Sequence, residues 1–231
     1  MKVIITGASR GIGRAIAEEM CKDGHDVLAL ARSEDKLKEL VESCEGLKGS
    51  IHILSGDLTK VEFVDNVVKE VGSLWGGCDI LINNAGRLVN ESFDKISMDV
   101  VREMYEVNVF ATMNLTRGLV EYMDSGGHVV TIGSMGGFPG SIKFPGLEWY
   151  SSTKAVLANL TECLAEAYKE RGVSFNCLAL GAVQTEMLFA AFPSYEAPVG
   201  PKEMGRYIAN FAINGGKLFN GKVLPVSVTT P

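Results

Sequence analysis

Lys2-Val3-Ile4-Ile5-Thr6-Gly7-Ala8-Ser9-Arg10-Gly11-Ile12-Gly13, followed by Arg14-Ala15-Ile16-Ala17-Glu18-Glu19-Met20, decides the fold. The apolar run predicts a buried strand, the glycines a turn, and the spacing of the last seven residues a helix. Strand, glycine turn and helix in that order form the setting that a dinucleotide-binding loop requires. Gly7 permits the tight turn, Gly11 lets the backbone approach a pyrophosphate, and Gly13 lets the helix pack closely on the strand. A diphosphate held there meets the free N–H groups at the positive end of the helix, with Ser9, Arg10 and Ile12 completing the loop.

Outward from this stretch, strands and helices alternate. Gly24 stops the first helix, and His25–Ser33 reads as a second strand, with Ser33 a candidate cap for the helix that follows. Ile51–Leu58 reads as a third strand, Val61 to about Val71 as a helix, and Asp79–Gly86 as a fourth strand with its tail. Ser97 is placed to cap a long helix from Met98 to about Met123, apolar on more than one stripe, so that part of it is expected against another subunit. His128–Gly133, Val173–Leu180 and Lys222–Val228 read as the remaining strands, and Pro225 puts the last at an edge. The alternation predicts a doubly wound α/β sheet of about seven parallel strands with helices on both faces, forming a single domain over residues 1–231.

The 231 residues, 46% hydrophobic, suffice for a substantial core. A formal charge of −6 without a basic run argues against nucleic acid and anionic lipid as partners. No apolar stretch approaches spanning length, and the first strand opens at once, leaving no room for a signal peptide. Five scattered cysteines suggest neither a disulfide framework nor a zinc site, and His52 lacks a ligand set, so no metal is expected. These features together predict a cytoplasmic protein with reduced thiols.

Tyr150 and Lys154 stand four apart in Tyr150-Ser151-Ser152-Thr153-Lys154, a spacing that puts phenol and ammonium on one face of a helix. Such pairs also occur on many solvated helix faces. Where the pair is catalytic, the cation is expected to lower the phenol pKa from about 10, making the hydroxyl a usable proton donor near neutrality. Ser134, upstream at a strand end, fits an ordinary cap as well as a catalytic hydroxyl, and Asp57 fits a turn or cap as well as a ligand contact. Arg32 at the end of the second strand either solvates that end or, with Arg10, pairs with the 2′-phosphate of NADP. An acidic residue there would suit NAD, so NADP(H) is preferred over NAD(H).

Thr6-Gly7-x-x-x-Gly11-x-Gly13, Asn83-Asn84-Ala85-Gly86 and Ser134 ahead of Tyr150-x-x-x-Lys154 resemble the short-chain dehydrogenase/reductase family, in this order and over essentially the whole chain. The resemblance implies a catalytic set of Asn108, Ser134, Tyr150 and Lys154, with Asn108 holding a water that relays protons to Lys154. It implies cofactor contacts from the glycine loop, from Asp57 and Leu58 to the adenine, from Asn84, Ala85 and Gly86, from Tyr150 and Lys154, and from Gly181, Val183 and Thr185. Leu180 stands where the family usually has proline, which puts the rigidity of that turn in doubt. Residues 1–90 are then mainly cofactor-binding and 91–231 mainly catalytic and substrate-binding. Phe138, Phe144 and Trp149 are plausible walls for an apolar substrate, and 186–200, with Met187, Phe189, Phe192 and Tyr195, a short lid.

The activity so implied is NADP(H)-dependent hydride transfer between the nicotinamide and a carbonyl or secondary alcohol, in a homodimer or homotetramer. A 3-ketoacyl-(acyl-carrier-protein) reductase is an alternative; Lys169 and Arg171 are available to an acidic carrier, but Glu121–His128 is poor in cations, which favours a small free substrate. A non-catalytic NADP(H)-binding regulatory protein is the other alternative.

Overall fold

In the computed structural model, which describes residues 1–228, the opening stretch forms β1 (Lys2–Thr6) and α1 (Gly11–Lys22). There follow β2 (Asp26–Ala31), α2 (Glu34–Ser43), β3 (Ser50–Ser55), α3 (Val61–Trp75) and β4 (Ile80–Asn83). A long helix is next, in two α-helical parts, α4 (Met98–Tyr105) and α5 (Thr112–Val120), joined by a π-helical turn at Glu106–Ala111. The chain continues through β5 (His128–Ile132), α6 (Glu148–Ala167), β6 (Ser174–Leu180), α7 (Glu186–Ala191), α8 (Pro201–Asn214) and β7 (Lys222–Val226).

The strands make one seven-stranded sheet in the order β3-β2-β1-β4-β5-β6-β7, with every pair parallel. Both faces are covered, so the inner strands read as continuous apolar runs rather than alternating ones. The pleat sends Val3 and Ile5 of β1 into one core, with Ile16, Met20 and Ile208 from α1 and α8. Ile4 goes to the other core, with Val67, Val71, Leu115 and Leu119 from α3 and α5. β7 closes one edge, and Pro225 lies opposite Ala179 of β6, its missing N–H costing nothing on the open side.

Several local expectations are corrected. The helix expected from Met98 to Met123 ends at Val120 and is interrupted by the π turn, a device periodicity cannot show because both neighbours keep the helical pattern. Ser97 caps α4, its hydroxyl accepting from Val100 N–H at 3.3 Å, whereas Ser33 stands at the start of α2 without a side-chain capping bond. α3 runs on to Trp75 and stops at Gly76, which takes the left-handed conformation (φ +69°) that ends helices.

His128, which carries no signal in the sequence beyond its place in a strand, is a buried structural group. Its ring is 3% exposed, with Nδ1 2.9 Å from Ala212 O and Nε2 3.0 Å from Asn176 Nδ2. The carbonyl can only accept, so the proton is on Nδ1 and Asn176 donates to Nε2. Burial pushes the imidazole pKa down, which keeps the ring neutral in this role.

β2 lies on one side of β1 and β4 on the other, so the strand order reverses between β1 and β4. In open parallel sheets the crevice outside the carboxyl ends of the strands at such a reversal takes ligands. The glycine loop leaves β1 at that point.

Candidate active site

Gly7 and Gly11 hold positive φ, +68° and +55°, in the left-handed region that suits glycine. At Gly13 the constraint is contact: a Cβ would overlap the Gly7 carbonyl oxygen and the Asn84 amide. Asn84 braces the loop, its Nδ2 donating to Thr6 O at 2.9 Å and to Gly7 O at 3.3 Å. The Thr6 hydroxyl oxygen in turn accepts from Asn84 N–H (3.0 Å) and Ala85 N–H (2.9 Å). Of the two asparagines Asn84 thus braces the strand end, while Asn83 turns the other way and donates to Thr116 Oγ1 at 2.9 Å.

Arg10 is exposed at the N-cap of α1, Ser9 is half-buried beside it, and Ile12 packs on the core. Arg32 is exposed just past β2, and among the described residues neither Arg10 nor Arg32 makes an ion pair. Asp57 accepts from Thr59 N–H at 3.0 Å and Thr59 Oγ1 at 2.9 Å, so its carboxylate makes the turn that its sequence also allowed. Those two bonds and the charge of Arg32 hold its pKa below the usual carboxylate value, against a smaller opposing effect of burial than of the backbone bond. Leu58 packs on the second core.

Tyr150 and Lys154 share a face of α6, with Lys154 Nζ 5.8 Å from the centre of the phenol ring. Lys154 is 4% exposed and donates to Ile132 O, at the end of β5, at 2.8 Å. The expected drop in the tyrosine pKa is not found: burial pushes Tyr150 up to about 12, only partly opposed by its hydrogen bond with Ser134. Burial likewise pulls Lys154 down to about 8. Both charged forms lose water at this site, and that loss outweighs what the neighbouring groups return. The phenol is accordingly held protonated at neutral pH.

Ser134 follows β5, and its hydroxyl oxygen also accepts from Gly136 N–H at 3.1 Å. Asn108 sits in the π turn, fully buried. Its Oδ1 accepts from Arg87 N–H at 2.7 Å, and its Nδ2 donates to Arg87 O at 2.9 Å and Thr153 Oγ1 at 3.0 Å. The amide is thereby committed to the chain itself, tying the end of β4 to α6 behind Tyr150, and its two donors are not left for a water. A Cβ on Gly86 would stand 3.5 Å from Asn108 Oδ1 and 3.6 Å from Lys154 Nζ, so both groups border one small space.

At the end of β6, Leu180 is 6% exposed and pairs with Val226 in the ladder, which continues through the position where proline was expected. Gly181 N–H then donates to Val226 O at 2.9 Å. Val183 is buried, and Thr185 caps α7 by accepting from Leu188 N–H at 3.3 Å. A Cβ on Gly11 would meet Thr185 Cγ2 at 3.4 Å and Glu186 Oε2 at 3.5 Å, so this corner reaches the glycine loop. A cavity of about 600 Å³ opens there, lined by Gly11, Arg14, Thr185, Phe189 and Lys202 among others. The ends of β1, β4, β5 and β6 thus gather the glycine loop, Gly86, Ser134, Tyr150, Lys154 and Thr185 around one cleft.

Three groups at this cleft carried no signal in the sequence. Arg87 is bound to Asn108 through its backbone and to Glu103 through its side chain (3.0 Å). Phe93, 60% exposed, stacks on Trp149 with ring centres 5.4 Å apart. Asn90 reaches the last residue of α7. Among the described residues no cluster of three or more His, Cys, Asp or Glu side chains is arranged for a metal, and no helix is long and apolar enough to cross a membrane. All five cysteines are free.

Known proteins share this fold. The profile of the short chain dehydrogenase family matches residues 1–195. A 3-oxoacyl-(acyl-carrier-protein) reductase of Aquifex aeolicus is 33% identical over 187 residues, 80% of this chain and 74% of that protein. A short chain dehydrogenase from Burkholderia cenocepacia, solved in complex with NADP, superposes with a TM-score of 0.88 at 27% identity, over 97% of this chain and 95% of that one. L-sorbose reductase from Gluconobacter frateurii, complexed with NADPH and L-sorbose, gives a TM-score of 0.87 at 28% identity, over 99% and 95% of the two chains. With its seven-stranded parallel sheet and its match over the first 195 residues, the chain belongs to the short-chain dehydrogenase family, oxidoreductases that act on alcohol and carbonyl groups with a nicotinamide cofactor.

Proposed function

We propose that the protein is an NADP(H)-dependent reductase of a small, apolar carbonyl compound, with residues 1–90 mainly holding the cofactor and 91–231 supplying the chemistry. The observation that carries this reading is the geometry that sets Tyr150 beside Ser134 and over the buried Lys154, whose Nζ stands 5.8 Å from the phenol ring centre, next to the glycine loop. A nicotinamide dinucleotide fits the residues present. Side chains are excluded at Gly7 and Gly13, Gly11 meets only ordinary contacts, and the space at Gly86 is open up to Lys154. The diphosphate would lie on the start of α1, between Ser9, Gly11, Ile12 and Thr185, with Asp57, Leu58 and Arg32 on the adenosine side and Asn84, Ala85, Gly86, Gly181 and Val183 towards the nicotinamide.

When bound, NADPH supplies the hydride. Tyr150 gives its proton to the carbonyl oxygen; in the cofactor-free protein burial holds its pKa up at about 12, so the transfer needs the phenolate to be stabilised by the Lys154 cation and by the positive charge of the oxidised nicotinamide. Ser134 orients that oxygen. Lys154, fixed to Ile132 O, holds the ribose and faces the phenolate left behind. Asn108 positions Thr153 and the Arg87 backbone around them, and a relay water is assigned to the space it borders rather than to its amide.

Preference for NADP(H) is supported by exposed, unpaired Arg32 and Arg10 and by the NADP and NADPH bound to the two solved relatives. An apolar substrate is supported by Phe189, which lines the cavity at the glycine loop, and by Trp149, next to Tyr150 and stacked on Phe93; Phe138 and Phe144, also expected as walls, instead line a separate cavity with Ser151 and Ser152. Five free thiols agree with a cytoplasmic location, and Phe110, 53% exposed on the long helix, with assembly into a homodimer or homotetramer.

The test is NADPH oxidation against aldehydes, ketones, quinones and ketoacyl thioesters, beside the Tyr150→Phe protein. Turnover that falls by roughly 10²- to 10⁴-fold in the variant is the expected result. Activity confined to acyl-carrier thioesters would move the reading to a ketoacyl reductase, in line with the Aquifex relative. Tight NADPH binding without turnover on any compound would make the protein a regulatory binder.

A further inference from the structure

The segment between β6 and α8 leaves the sheet and returns to it at a tied neck. Val183 and Val199 form a parallel bridge, and Gln184 N–H donates to Val199 O at 2.8 Å. The Gln184 side-chain oxygen also accepts from Ala197 N–H at 2.7 Å. Within this excursion α7 has only six residues, too few for a helix to persist on its own bonds. Its position therefore depends on what holds its ends. Thr185 caps the first turn against Gly11, and the last turn has carbonyls without helical partners.

One of those carbonyls is met from far away in the chain. Asn90 Nδ2 donates to Ala191 O at 2.9 Å, across 101 residues of sequence. Asn90 is itself set by a third segment. Glu91 N–H donates to Gly146 O at 3.1 Å, and a Cβ on Gly146 would overlap Asn90 Oδ1. Gly146 holds φ +86°, so both its backbone and its space favour glycine. Asn90 thus stands where the tail of β4, the approach to the Tyr150 helix and the far end of α7 meet. With one end on the glycine loop and the other on Asn90, α7 spans the mouth of the cleft.

We propose that Asn90 is a positioning residue that latches α7 across the cleft and so sets how fast the site opens. The inference rests on the proposed function only for what passes beneath α7. Asn90 is exposed, and one neutral hydrogen bond open to water shifts a closed-to-open ratio by only about two- to tenfold. A latch of that strength keeps the lid mostly shut while allowing it to open within a catalytic cycle.

Chymotrypsin reads the latch directly, because Phe189, Phe192 and Tyr195 lie within the excursion. Asn90→Asp keeps the size of the side chain but removes the donor. In the cofactor-free protein, lid cleavage of that variant is expected to rise about three- to tenfold, as the open population does, with Tm within about 2 °C of the parent. NADPH dissociation, followed by its fluorescence, should quicken by a similar factor, and substrate KM should rise while kcat is kept or increased. Unchanged lid cleavage, or an equal rise at sites outside residues 184–199, overturns the latch. Faster lid cleavage with no NADPH binding in either protein keeps the latch and overturns the cofactor reading instead.

Discussion

The glycine loop and α7 face each other across the cleft, yet they are held in opposite ways. Around Gly13 there is no room: its position is fixed by the Gly7 carbonyl and by an Asn84 amide that bonds two backbone oxygens of the loop. On the other side Phe189 is 57% and Tyr195 45% exposed, and α7 contributes no fully buried residue. Met187, Leu188 and Ala191 are half-buried, and the polar ties of the segment are the neck at Gln184, the Thr185 cap and the bond from Asn90. The contrast separates two tasks. A diphosphate is a constant shape, and a rigid backbone nest suits it; a substrate must enter and leave, and a weakly tied segment permits that.

Gly13→Ala tests the rigid side most severely. A methyl group with no space to enter should lower stability by about 3 kcal/mol or more and abolish NADPH binding, as measured by urea unfolding and titration. If the protein tolerates it at less than about 1 kcal/mol, the loop is softer than its contacts indicate.

Lys154, between the two regions, gives a pH signature. Folded, it loses its proton near pH 8, while the unfolded chain keeps it to 10.5, so unfolding takes up a proton in that interval and stability rises with pH. Tyr150 acts in the opposite sense above pH 10, since its folded phenol keeps the proton to about 12. Cofactor-free protein is therefore expected to gain about 2 kcal/mol relative to Lys154→Met between pH 8 and 10, by denaturant unfolding, and to keep that gain at higher pH, where Lys154 is neutral in both states and the loss through Tyr150 is common to both proteins.

Arg32→Ala should weaken NADPH binding by about 10- to 100-fold, the range for a charge-assisted phosphate contact, and leave NADH nearly unchanged. Equal loss for both cofactors would remove the 2′-phosphate from the account of Arg32. The smallest effect is expected on the lid side. The Glu186 carboxylate lies near the Gly11 face where the diphosphate is proposed to sit, so Glu186→Gln should tighten NADPH binding about two- to fivefold, more at low salt. A loss of affinity would show that the carboxylate assists the loop rather than competing with its ligand.

The two sides are also unequally legible in the sequence. Val3-Ile4-Ile5 and the glycines after it act through local rules, the pleat and the left-handed turn, so the strand, the loop and the helix can be read from these residues alone. Asn84 and Ser134 follow strands whose apolar runs are legible, but their roles come only from the resemblance of their motifs to the family. The π turn around Asn108 leaves no trace, since one inserted residue in the helical ladder keeps the apolar pattern readable on both sides. Nor does the pairing of His128 with Asn176, or of Asn90 with Ala191, leave any: these residues are 48 and 101 positions apart, and nothing in either neighbourhood names the other.

What the sequence determined by itself is the order of elements, the parallel sheet and the glycine loop, because periodicity and glycine stereochemistry operate over a few residues; the set of groups at the strand ends is legible in it only through its resemblance to the family's motifs. What only the tertiary structure decided is the state of those groups. Tyr150 and Lys154 are four apart in any helix, but their pKa values moved away from the local expectation because the packed chain takes water from both. The lid likewise exists in the sequence as a run of aromatics, and only the folded chain brings Asn90 to the end of α7 to hold it.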